Sequence, residues 1–442
     1  MTTIEQALER ASDTKALLIA DGALTSVAET FQRMFPGKRP IVVADTTTWT
    51  IAGKTVNEQL VGAGLNPDEP HIFTDADMHA EWKYIEELDK VFSNTDAIGI
   101  AVGSGTINDL VKLSSSHCGR RYMTVATAAS MDGYTAYGAS ITKDGAKQTF
   151  NCPAPLAVVA DTSIIAEAPV QMTASGYADL FAKIPAGADW ILADALGVEP
   201  IDSFSFGLVQ DSLKTALSDP DKIKSGDKEA IHRLIEGLIM SGFAMQAHQT
   251  SRPASGADHQ FSHLWNMEHH TMADGTMPSH GFQVSIGLLA STALYQQLLN
   301  EDIENLDIDA CVEAWPTLED AKTKAIELFR GTDFPTIGAT ETEAKYIDRE
   351  GLREQLGILR DKWPVIKERL EKQLIPLEEA SRRLTAVGAP VQPEQIGISR
   401  ERLRESVIRA QYIRRRFTIL DVAVRTQLLD NWLDNIFGVT VE

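Results

Sequence analysis

Short apolar runs and helical repeats alternate through the first third of the chain. Ala16–Ala20 (ALLIA), Pro40–Ala44 (PIVVA), Ala97–Val102 (AIGIAV), Tyr122–Ala126 (YMTVA) and Leu156–Ala160 (LAVVA) are apolar without alternation. Strands buried on both faces read this way, and strands spaced by helices build parallel sheets. A hairpin is predicted between Ile141–Thr142 and Gln148–Phe150, turning at Lys143-Asp144-Gly145. Beyond residue 163 strand-like runs become scarce, and Ala, Leu, Glu, Gln and Arg recur at helical spacing. The prediction is an α/β plus all-α chain. Residues 1–162 form a Rossmann-like, doubly wound parallel sheet, and 163–442 form a helical domain. Val387–Gly397 reads as a loop between two late helices.

Charge narrows the function. The 442 residues carry a net charge of −21, which argues against a nucleic-acid partner and requires a local positive feature for any anionic substrate. The three cysteines, Cys118, Cys152 and Cys311, are far apart and form no CxxC pair, so neither a disulfide scaffold nor a cysteine zinc site is expected. The opening MTTIEQALERASDTK lacks an apolar h-region. No apolar stretch approaches the roughly 18 residues of a membrane span. A cytoplasmic location, with no membrane partner, is the expectation.

Several segments could carry chemistry. Gly103-Ser104-Gly105-Thr106-Ile107-Asn108-Asp109 lies where a strand becomes a helix, and both a phosphate cradle and a plain tight turn fit it. Six of the ten histidines fall between His248 and His280, and His259 and His263, four apart, share one helical face. Metal ligation and ordinary surface or core placement both suit such a cluster. Asp179 sits among apolar neighbours, either as a metal-bound or paired acid or as a helix-terminal partner. Thr127–Tyr134 forms a small-residue loop after a strand, at the edge where open α/β sheets bind ligands. Seven arginines between Arg400 and Arg416 read as a solvated, salt-bridged helix.

Together these segments resemble the superfamily of iron-containing alcohol dehydrogenases, glycerol dehydrogenases and dehydroquinate synthases. The chain is most similar there to bacterial sn-glycerol-1-phosphate dehydrogenases of the AraM type. The resemblance runs through GSGTINDLVK, TAASMDGYTA, PLAVVADTSIIAEAP, the Asp179 segment, SRPASGADHQFSH, SHGFQV and YIRRRFTILD. It implies a dinucleotide domain followed by a helical metal- and substrate-binding domain. It implies one divalent metal on Asp179, His259 and His280, nickel first, then zinc, with iron also compatible. It makes Asp132 and His263 substrate contacts. Asp45 would meet the adenosine ribose, Gly105, Thr106, Ile107, Asn108 and Asp109 the pyrophosphate, and Thr127 through Ser130 a further part of the cofactor. NAD is the expected cofactor, with NADP also compatible, and a homodimer is implied.

Two departures stand out. The stretch between His259 and His280 is longer than the pattern, so His269 and His270 compete with His280 as ligands. The glycines read Val102-Gly103-Ser104-Gly105 rather than as in glycerol dehydrogenases. The implied reaction is hydride transfer between a nicotinamide cofactor and dihydroxyacetone phosphate, with Arg252 as a phosphate partner. A polyol dehydrogenase, a dehydroquinate-synthase-like enzyme and a non-catalytic binding protein are the competing readings.

Overall fold

A computed structural model describes residues 3–76, 78–143 and 146–438. The chain forms two compact units. One takes in Met1–Leu180, Phe204–Pro253 and Ala386–Gly388, and the other Phe181–Ser203, Ala254–Thr385 and Ala389–Glu442.

Among the described residues, eight strands lie in the first unit: β1 (Ala16–Ala20), β2 (Pro40–Asp45), β3 (His71–Phe73), β4 (Ile98–Gly103), β5 (Met123–Ala126), β6 (Ala139–Lys143), β7 (Ala146–Phe150) and β8 (Ala157–Asp161). Six of them form one sheet in the order β1-β8-β5-β4-β2-β3, and every pairing in it is parallel. The five apolar runs all became strands of this sheet. β3 gave no such signal, because it is a three-residue edge strand. β6 and β7 pair antiparallel as the expected hairpin, while its turn residues Asp144 and Gly145 lie outside the described residues.

Alternation along each strand divides the apolar side chains between two cores. Val42, Ala44, Ile100 and Val102 pack on one face with Val27, Phe31, Val56 and Leu60. Ile41, Val43 and Ala101 pack on the other with Ile85, Leu88, Leu110 and Val111. Burying a Val or Ile side chain contributes about 1.5–3 kcal/mol, so a central strand with both faces covered is strongly held in register.

The loop after β5 is clamped by glycines on two helices of the same unit. A methyl group on Gly176 would lie 2.0 Å from Ala129 O, and one on Gly242 would lie 2.1 Å from Thr135 Oγ1. Gly176 belongs to Val170–Phe181 and Gly242 to Lys228–His248. Lys112, buried beneath the loop, donates to Gly133 O, Ala136 O and Gly138 O at 3.0, 3.2 and 3.0 Å. Its charge is also met by Asp109 at 3.3 Å.

All described secondary structure after β8 is helical. In the second unit, His280–Asn300 is apolar nearly all round and buried along most of its length, as a central helix must be. It touches Ala257–Met267 backbone to backbone: a methyl group on Gly287 would lie 2.3 Å from Asp258 O. Asp189, on Lys183–Ala195, ties two helix starts together. It accepts from Ala257 N at 2.8 Å, Ile419 N at 2.7 Å and the Tyr295 hydroxyl at 2.7 Å. Burial still pushes its carboxyl up to about 7 against the pull of those donors.

The clamp is testable by substitution. Gly176→Ala drives a methyl group into a backbone oxygen that cannot step aside, and should cost more than the ~1–3 kcal/mol of ordinary overpacking. Gly357→Ala, in a helix interior with nothing within 4 Å of the new methyl, should stabilise by about 0.5–1 kcal/mol. Urea unfolding of both variants measures this. Equal effects would show that the close approach at Gly176 is not a constraint.

Candidate active site

The carboxyl edge of the sheet carries the dinucleotide candidates. From β2 the chain crosses to β3 on one side and then to β4 on the other. That reversal of strand order opens a crevice between β2 and β4, where open α/β sheets bind ligands. Asp45 closes β2 and Gly103 closes β4. Asp45 is half-buried, and its Oδ1 accepts from Thr48 N at 2.8 Å, capping the turn Thr46–Thr48.

Gly103 allows the sharp exit from β4, because a methyl group there would lie 2.7 Å from Ile107 Cβ. The helix Gly105–His117 begins at once, and the Ser104 side chain does not cap it. Its first N–H groups therefore have no partner within the helix and favour an anion. Ser104, Gly105 and Thr106 are half-buried, and Ile107 is buried. Asn108 and Asp109 face inward. Tyr122 donates to Asn108 Oδ1 at 3.0 Å, and Ser140 N donates to Asp109 Oδ2 at 3.1 Å. These bonds fix both side chains beside the helix start. Thr127 is buried, and its N–H donates to Gly103 O at 3.2 Å, joining the ends of β4 and β5. Ser130 is half-buried and takes a hydrogen bond from Ser175 Oγ on its carbonyl at 3.3 Å.

The clamped loop then meets Asp179. The N–H of Asp132 donates to Asp179 Oδ2 at 3.1 Å, and Ser241 Oγ donates to Asp132 Oδ2 at 2.8 Å. Asp179 is 0% exposed. A buried carboxylate is costly without strong compensation. Arg252, in the turn Arg252–Ala254 of this region, is buried as well, with its N–H on Thr250 Oγ1 at 3.1 Å.

The second unit brings three histidines together. The rings of His259 and His280 lie 5.2 Å apart and edge-on, and those of His259 and His263 lie 6.5 Å apart. Helical spacing sets the second pair. The helix contact at Gly287 sets the first, since His280 opens the helix that packs there. His259 Nδ1 pairs with the buried carboxylate of Asp258. An ionised carboxylate only accepts, so Nδ1 carries the proton and Nε2 is the unprotonated nitrogen. His280 Nδ1 is 3.3 Å from Ser262 Oγ.

The competing histidines are otherwise engaged. His270 donates from Nε2 to Ile396 O at 2.6 Å and receives Arg402 on Nδ1 at 2.8 Å. His269 is exposed and lies 3.3 Å from Asp333. The long stretch between the metal candidates is thus pinned by structural contacts. Glu268 adds to them by pairing with Arg402 and Arg409.

Two site residues escaped the sequence reading. Asp258 is one, and its place directly before His259 is the signal that could have found it. Arg414 was counted in the solvated arginine run. The helix of that run ends at Ala410, and Arg414 continues in extended conformation, with φ −157° and ψ 140°. It is half-buried, donating to His263 Nε2 at 3.2 Å and to Ser255 Oγ at 3.4 Å. Arg416 donates to Ser255 O at 2.5 Å. The apolar neighbours in YIRRRFTIL were the available sign that this segment turns inward.

Comparison with known proteins places this geometry. The family described as iron-containing alcohol dehydrogenase matches residues 18–169. A glycerol-1-phosphate dehydrogenase (NAD(P)+) of Halalkalibacterium halodurans is 30% identical over 86% of this chain and 84% of its own. The enzyme of that name from Geobacillus thermodenitrificans is 31% identical over 87% and 86%. Among solved structures, a probable glycerol dehydrogenase from Sinorhizobium meliloti aligns over 96% of this chain and 99% of its own, with TM-score 0.59 at 16% identity. A sulfoacetaldehyde reductase from Bifidobacterium kashiwanohense, in complex with NAD+, aligns over 98% of each chain with TM-score 0.58 at 11% identity, so both likenesses concern the fold. The chain belongs to the glycerol-1-phosphate dehydrogenase family, within the iron-containing alcohol dehydrogenases.

Proposed function

We propose that this chain interconverts dihydroxyacetone phosphate and sn-glycerol 1-phosphate by hydride transfer with NAD(P), using one divalent metal ion held by Asp179, His259 and His280. The observation that carries the reading is the relation over more than four-fifths of both chains to glycerol-1-phosphate dehydrogenases. Residues 1–162 would hold the dinucleotide and 163–442 the metal and substrate. No helix among the described residues is long and apolar enough to cross a membrane. A cytoplasmic homodimer is part of the proposal.

The donor set fits such an ion. Each of the three residues offers one ligand atom, two imidazole nitrogens and a carboxylate oxygen, without sulfur. That set suits nickel, zinc or iron, nickel being the first choice. When bound, the ion supplies Lewis-acid stabilisation of negative charge at the substrate C2 oxygen.

The remaining work belongs to the protein. Asp258 fixes the tautomer and ring plane of His259. The N–H of Asp132 orients Asp179, and the Asp132 carboxylate orients a substrate hydroxyl. His263, with Nε2 accepting from Arg414, carries its proton on Nδ1 and would donate a hydrogen bond from there to a substrate oxygen. The open amides of Gly105 to Ile107 would take the pyrophosphate. Asp45 would accept the ribose hydroxyls of NAD and repel the extra phosphate of NADP. In a chain of charge −21, the substrate phosphate needs cations, and buried Arg252 and half-buried Arg414 are assigned to it.

The reaction is tested by following NADH oxidation at the cofactor's absorbance band in metal-reconstituted protein. Dihydroxyacetone phosphate should turn over and lose activity on chelation. Turnover of dihydroxyacetone alone would reject the phosphorylated substrate. The ligand set is tested by metal content after desalting. Asp179→Ala should retain no metal while staying folded, and Asp258→Asn should weaken retention by about 10–100-fold. Wild-type retention in Asp179→Ala would remove that residue from the set.

A further inference from the structure

A second cavity lies wholly within the helical unit, away from the histidines. Its volume is about 300 Å³. Trp315 and Tyr346 form one wall, with ring centroids 6.1 Å apart and planes at 19°. The polar ends of both are tied down: Trp315 Nε1 donates to Ile347 O at 2.8 Å and the Tyr346 hydroxyl to Pro316 O at 2.9 Å. The rings are therefore rigid apolar surface, which is what a small-molecule pocket presents.

The polar lining is unbalanced toward donors. Lys345 has three N–H donors, and Asp421 at 2.7 Å and Gln411 O at 2.6 Å take two. Arg425 has five, and Gln355 Oε1 and Lys345 O take two of them among the described residues. Thr342 Oγ1 is buried and meets no hydrogen-bond partner among the described residues. Lys324, Lys345 and Arg425 face Asp421 and Asp430, so the lining carries one positive charge in excess. An occupant with acceptor oxygens and a negative charge satisfies all of this, and the aromatic wall covers its apolar part.

The cavity is also wired to the histidines. Gln411 and Tyr412 line it, and so do Asp421, Val424 and Arg425. Between these two ends the same segment carries Arg414 to His263 and Arg416 to Ser255. Both ends of the strap are in the cavity, and its middle holds His263 through Arg414.

We propose that this cavity binds a small monocarboxylate with an apolar or single-ring body, and that its occupancy is sensed at His263 through residues 411–425. This goes beyond the proposed reaction and does not depend on it. A ligand that favours one position of the strap shifts His263 with it, by its differential affinity for the two positions.

The probe is phenylacetate, with phenylacetamide as its neutral isostere. Calorimetric titration of the full chain should show saturable binding of phenylacetate and much weaker binding of the amide. Thr342→Val should weaken binding about tenfold, as loss of a hydrogen bond to a charged group does. Ala321→Trp, which fills the cavity from its rim, should abolish binding while the melting temperature confirms folding. Imidazole resonances of labelled histidine, with His263 assigned by His263→Gln, should shift for His263 on titration. Equal binding of acid and amide overturns the anion assignment. Unchanged binding in both variants, or no binding by wild type, overturns the site. Binding with His263 unmoved overturns the coupling.

Discussion

A carboxylate removed from water has to be matched by positive charge, and Asp179 imposes that demand on this chain. It is fully buried, and one hydrogen bond, from the N–H of Asp132, holds one of its oxygens. In the proposed site a divalent ion beside two imidazoles would supply that charge. The glycines at 176 and 242 let two helices close on the loop that orients Asp179. In the helical unit, Gly287 lets two helices meet where His259 and His280 come together, and Asp258 stands behind His259.

The same device recurs in both units. A buried charged side chain gathers several backbone groups and fixes a functional segment. Lys112 collects three carbonyls under the loop that carries Asp132. Asp189 collects the first N–H groups of two helices, Ala257–Met267 with its histidines and Ile419–Arg425 behind the arginine strap. Such groups are expensive to bury and cheap to satisfy only when every partner is in place. They make the local geometry all-or-none, which suits a site whose ligands must be held to within a fraction of an ångström.

How much of this was legible in the sequence depends on range. β2 and β4 were legible because burial on both faces writes an unbroken apolar run. β3 was not, since three residues at a sheet edge carry no period. His259 and His263 were legible as a helical pair, because their spacing is local. The Asp179 role came from the family resemblance, since its identity as an acid among apolar residues fitted a cap equally well. Arg414 and Lys112 were illegible for one reason. Their partners lie 151 residues away in the first case and 21–26 residues away in the second, and a lone basic residue reads as solvated until its partners are known. The arginine run illustrates this: Arg402 and Arg409 belong to a paired helix as expected, while Arg414, a few positions later, is turned to His263.

The central claim is that two imidazoles and one carboxylate hold a single metal ion. X-ray absorption at the metal edge of nickel- or cobalt-loaded protein tests it most directly. The account predicts a nitrogen and oxygen shell without sulfur, and outer-shell scattering from two imidazole rings. A sulfur neighbour, or scattering from a single imidazole, would contradict it.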